Sequence, residues 1–78
     1  MEKRNVARQL VEVAATIEFG GGGTACMVRN ISDGGALLEL TNAVHIPENV
    51  SLVIPTEGKH LSCRVVWRKE KRIGVMFE

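Results

Sequence analysis

Val11-Glu12-Val13-Ala14-Ala15-Thr16-Ile17-Glu18-Phe19 is the stretch that decides the fold. Apolar residues at 11, 13, 15, 17 and 19 alternate with Glu12, Thr16 and Glu18, the period of two expected of a strand with one buried face. Ala14 and Ala15 lend it a superficial helical look. The β-branched content and the strict alternation favour the strand.

The same period recurs on the C-terminal side. Gly20–Gly23 interrupts it, and Thr24–Ile31 resumes it with Cys26 and Val28 on one face and Met27, Arg29 and Ile31 on the other. Ser32-Asp33-Gly34-Gly35 reads as a turn in which Asp-Gly supplies positive φ angles. Ala36–Leu40 forms a third strand, and Thr41–Asn49 is a loop broken by Pro47 and Asn49. Val50, Leu52 and Ile54 alternate up to Pro55, and Thr56-Glu57-Gly58 turns the chain. His60–Trp67 is a longer strand that places Cys63, Val65 and Trp67 together on a core face. Arg68–Lys71 makes a charged tip, after which Ile73, Val75 and Phe77 close the series. Six short strands without a substantial helix predict an all-β fold, a small six-stranded antiparallel barrel. Residues 10–78 form the barrel domain, and residues 1–9 form a flexible arm ahead of it.

Composition narrows the function classes. With 45% hydrophobic and 24% charged residues in 78, the chain can form a core, but it is too small for a deep enclosed active site. A net charge of +1 argues against a non-specific nucleic-acid glove. The cations are nevertheless clustered, with Lys3, Arg4 and Arg8 at one end and Arg64, Arg68, Lys69, Lys71 and Arg72 at the other. Two separated basic segments suit a compact anion better than a long polyanion. No apolar run reaches the roughly 18–20 residues of a membrane span, so no membrane insertion is expected. Two cysteines without an export signal suit a reducing cytoplasmic setting.

Arg4 and Arg8 are the first candidate ligand residues. Guanidinium is a planar fork that binds phosphate bidentately and also matches the O6/N7 edge of guanine. Asn30, Ser32 and Gly35 are the second group. Asn30 and Ser32 share a strand face and offer amide and hydroxyl groups, while Gly34 and Gly35 leave backbone open to a flat ring. Separately, each group has an ordinary reading: solvated terminal arginines, and a capped hairpin turn.

Together, Arg4-x-x-x-Arg8 ahead of Asn30-x-Ser32-x-x-Gly35 on an all-β chain resembles the PilZ domain family. The runs Cys63–Arg68 and Arg72–Phe77 are similar to the closing strands of that family. The resemblance implies a bacterial receptor for the second messenger cyclic di-GMP. It implies that Arg4 and Arg8 clamp phosphates and guanine edges against a surface made by Asn30, Ser32 and Gly35. Lys3, Asp33, Gly34, Arg64 and Arg68 are supplementary candidates, and the signal passes by conformational change to an as yet unidentified downstream protein. The alternative is a ligand-blind barrel that acts as a protein adaptor or binds RNA. RNA is disfavoured because Phe19, Trp67 and Phe77, the three aromatic residues, fall on predicted core faces.

Other chemistry is not expected. Gly20–Gly23 lacks the Lys-Ser/Thr and the helix of a phosphate loop. Cys26, Cys63, His45 and His60 lack the close spacing of zinc ligands, so no metal and no cofactor is expected. Ser32 is not in a nucleophile elbow and has no His–carboxylate pair placed to activate it, so the chain is not expected to be an enzyme.

Overall fold

Alternation carries the chain through six strands: β1 Gln9–Phe19, β2 Gly22–Ile31, β3 Gly35–Leu40, β4 Asn49–Ile54, β5 Lys59–Lys69 and β6 Arg72–Phe77. A computed structural model describes residues 9–42 and 44–78, with side chains from residue 11 onward. The strands close into an antiparallel barrel in the order β1-β2-β3-β6-β5-β4. Closure gives each strand two neighbours, which limits the exposed strand edges that invite aggregation. Pro55–Glu57 forms a single 3₁₀ turn, and among the described residues no helix is long and apolar enough to cross a membrane.

The inward positions make one core. Ile17, Leu38 and Leu52 are fully buried, with Val28, Ile54, Cys63 and Ile73 packed among them. Phe19 and Phe77 pack partly buried against this core, as the alternation predicts. Cys26 and Cys63 are free thiols inside it, and burial pushes the Cys26 thiol up to about 11 and raises that of Cys63. Desolvation disfavours the thiolate, so both cysteines behave as small apolar core residues. Among the described residues, no cluster of His, Cys, Asp or Glu is arranged to hold a metal ion.

Turn chemistry sets the register. Phe19 pairs directly with Gly22, so Gly20 and Gly21 alone make the β1–β2 turn, at φ 53° and 81°. Positive φ at both central positions gives the two-residue hairpin whose twist matches its strands. Lys69 likewise pairs with Arg72, and Glu70 occupies the left-handed region at φ 57°. A β-carbon there costs roughly 1–2 kcal/mol, part of which a glycine would give back through a freer unfolded chain. Glu70→Gly is therefore expected to raise stability by about 0.5–1 kcal/mol in urea denaturation. An unchanged or lowered midpoint would show that Glu70 is unstrained.

The loop after β3 closes the end of the barrel that holds the Gly20–Gly21 and Glu70–Lys71 turns. Ile46 inserts there, only 1% exposed. The Arg68 guanidinium donates to the Ile46 carbonyl, and the Val65 N–H donates to the Glu48 carbonyl at 2.7 Å. Ser32–Gly35 lies at the opposite end.

Three expectations are overturned. Trp67 does not join Cys63 and Val65 in the core: it is 47% exposed. Ile31 does not lie with Met27 and Arg29, but packs partly buried against the core. Gly34 is not in the positive-φ region, so the Ser32–Gly35 turn is not the Asp-Gly hairpin turn that its residues suggest. The first two share one cause, an extra residue in the strand.

Candidate functional site

Three strands each carry one irregularity: β1 between Leu10 and Val13, β2 between Val28 and Asn30, and β5 between Val65 and Trp67. A β-bulge inserts a residue and reverses which face the following side chains occupy. Val28 points inward, so plain alternation would bury Asn30 and expose Ile31. The extra residue at Arg29 reverses both, and Asn30 pairs with Leu37 while Ile31 pairs with buried Ala36. In β5 the extra residue at Val66 turns Trp67 outward opposite Gly74. The register then aligns Trp67, Gly74, Leu37, Asn30 and Leu10 in one row across four strand boundaries.

Around that row lie two adjoining grooves. The first, about 540 Å³, is lined by Val11, Glu12, Arg29, Asn30, Leu37 and Arg72. Arg29 reaches both Glu12 and Glu39, 3.6 Å from each carboxylate. Exposed pairs of this kind are worth at most about 1 kcal/mol, so a doubly charged anion can compete for the guanidinium. The second groove, about 360 Å³, runs past Ser32, Gly34 and Gly35 to Leu37, Trp67 and Met76. Leu37 borders both. Sequence reading grouped Arg72 with the C-terminal cations and did not single out Arg29 as a site residue. Only the β2–β3–β6 register shows them flanking Asn30.

The Ser32–Gly35 corner is built by backbone bonds. The Ser32 N–H donates to the Gly35 carbonyl at 2.9 Å, and its hydroxyl reaches the same oxygen at 3.4 Å. Gly34 accepts from the Phe77 N–H at 2.9 Å, which fastens the corner to β6. Gly34 is exposed, as the flat-ring argument requires, whereas Gly35 is buried. A Cβ on Gly35 would overlap the Val75 carbonyl oxygen, so close strand packing demands this glycine rather than access for a ring.

The structure does not gather every candidate. Asn30 borders the first groove, while Ser32 borders the second and also a cavity at the barrel end with Ile31, Asp33, Lys59 and His60. Arg64 pairs with Glu78 at 3.7 Å and lies against the Met76 sulfur, opposite the same β6 residue that Gly35 pairs with from the other side. Arg68 is held by Ile46 at the far end of the barrel. Lys3, Arg4 and Arg8 lie outside the described residues. The strand that follows them is placed clearly: β1 begins at Gln9 opposite Ile31, and Leu10 is opposite Asn30.

The PilZ domain family model matches residues 2–78, nearly the full sequence. Comparison with curated proteins finds no match. The six-stranded closed barrel and the family match agree, and the chain belongs to the PilZ domain family.

Proposed function

We propose that this chain is a cyclic di-GMP receptor, in a family known for binding that messenger. Arg4 and Arg8 clamp the ligand, Asn30, Ser32 and Gly35 form the opposing corner, and the altered surface is read by a partner protein in the cytoplasm. The observation that supports this most directly is the pairing of Gln9 with Ile31. It joins the arginine-bearing segment to the barrel at the edge of the Asn30–Gly35 corner, so a short tether suffices for both groups to meet one ligand.

The chemistry is consistent. Cyclic di-GMP presents two phosphates and two guanines, the groups that guanidinium binds bidentately. Arg29 and Arg72 add positive charge beside Asn30. PilZ domains are binding modules, and the role proposed here is recognition without bond chemistry.

Titration calorimetry with cyclic di-GMP, GTP and a single-stranded RNA tests the reading. The expected result is saturable heat with cyclic di-GMP and at least a roughly tenfold preference over GTP, about 1.4 kcal/mol. Equal binding of both nucleotides, or binding of RNA alone, would overturn it.

A further inference from the structure

The two ends of the barrel are closed unequally. At one end Ile46 plugs the core, 1% exposed. At the other, among the described residues, Ile31, Leu61 and Phe77 are only partly buried against the core. They face a cavity of about 490 Å³ whose rim carries Asp33, Lys59 and His60. Barrel mouths are common seats for apolar groups, and this one has an apolar floor with charge around it.

The rim charges select the occupant. Lys59 is paired with Glu57 at 3.5 Å, and His60 faces Glu18 at 3.8 Å. Asp33 is exposed and joins none of the ion pairs among the described residues. An apolar side chain accompanied by a cation therefore fits the mouth. The chain holds one close by: β1 starts at Gln9, opposite Ile31 of the cavity wall, and the eight residues ahead of it include Val6 between Arg4 and Arg8. Three residues of extended chain span about 10 Å, so Val6 reaches over the cavity from Gln9.

We propose that in the ligand-free protein the leading segment lies across this mouth, with Val6 in the cavity and a flanking arginine at Asp33, and that cyclic di-GMP withdraws it. The inference rests on the receptor reading above. In an extended segment residues 4, 6 and 8 share one side, so seating Val6 turns Arg4 and Arg8 toward the mouth with it. Clamping a ligand at the outward Asn30–Gly35 corner turns that side away and pulls Val6 out. The two seats exclude each other, and Ser32 borders both the mouth and the corner groove. Ligand binding thus uncovers Ile31, Leu61 and Phe77 as an apolar surface for the downstream protein. The closed seat also lowers the apparent ligand affinity, because only the open fraction is competent to bind.

Nuclear Overhauser contacts and calorimetry on the full chain test this together. Phe77 and Phe19 are the only phenylalanines, and Phe19 lies at the far end beside the Gly20–Gly21 turn, so ring contacts to the Val6 methyls identify the mouth. The expected result is Val6–Phe77 contacts in the free chain that disappear at saturation with cyclic di-GMP. Val6→Ser should bind the messenger about two- to tenfold more tightly than the parent, and Val6→Ile should bind as the parent does. No such contacts in the free chain, contacts that persist at saturation, or unchanged or weakened binding by Val6→Ser would overturn the proposal and leave the receptor reading intact. Phe77 contacts that fade on dilution would assign the mouth to a second copy and overturn it too. Absence of saturable heat with the parent chain would overturn the receptor reading and the ligand-driven release, while the free-chain contacts still decide the seat of Val6.

Discussion

Gly35→Ala is expected to destabilise the barrel by about 3 kcal/mol, the upper end for forcing an added methyl into close packing. The obstacle is backbone: the new Cβ would overlap the Val75 carbonyl oxygen and approach the Met76 Cα to 3.4 Å. Neither neighbour can swing away like a flexible side chain. Gly35 pairs with Met76, its carbonyl accepts from Ser32, and Gly34 is tied to Phe77. A domain of this size has a total stability of roughly 4–12 kcal/mol, so the loss is a large fraction of it. The thermal midpoint should fall by roughly 12–24 °C. Gly34→Ala is the control, since nothing lies within 4 Å of its Cβ and its φ is not in the left-handed region. Its midpoint should move by no more than a few degrees. Equal effects at the two positions would contradict the close-packing account of Gly35.

Arg8→Ala is expected to weaken cyclic di-GMP binding by about 1.5–3 kcal/mol, roughly ten- to a hundredfold, without a change in melting temperature. A charge-assisted bond from guanidinium to phosphate or to a guanine edge has that magnitude. Arg8 precedes Gln9, whose backbone is already paired with Ile31, so the clamp needs only a short reach. Arg8→Lys separates charge from geometry: a lysine keeps the charge but loses the bidentate fork, and should recover only part of the affinity. Calorimetry on Arg8→Ala and Arg8→Lys checks both expectations. Full affinity in Arg8→Ala would remove this residue from the site.

Much of the barrel was legible because alternation is a direct image of a half-buried strand. Val50, Leu52 and Ile54 alternate in sequence and are all buried, and the two-residue glycine turn emerges from a four-glycine run. The errors fall where a single extra residue interrupts the period. Val28 and Val65 mark inward faces correctly, yet the residues two positions later, Asn30 and Trp67, face outward. Composition does not announce a bulge. The available signal for the second was Gly74, a glycine inside a strand, which often marks a close approach by a neighbour. That neighbour is the Trp67 ring. The Asp33-Gly34 reading failed for a related reason: the pairing of Gly35 against Val75 and Met76 governs the corner more strongly than local turn preference does. The motif residues themselves were readable only as chemistry at a spacing. Their neighbours Arg29 and Arg72 come together through strand order, which no local pattern carries.

The central claim is that the leading arginines and the Asn30–Gly35 corner close on the same molecule. Amide chemical-shift mapping of the full chain during titration with cyclic di-GMP tests it most directly. The account predicts that residues 4–9 and 30–35 shift together along one saturation curve, with the Gly20–Gly21 turn unmoved. Saturable shifts confined to one of the two segments, or centred on the opposite end of the barrel, would contradict it.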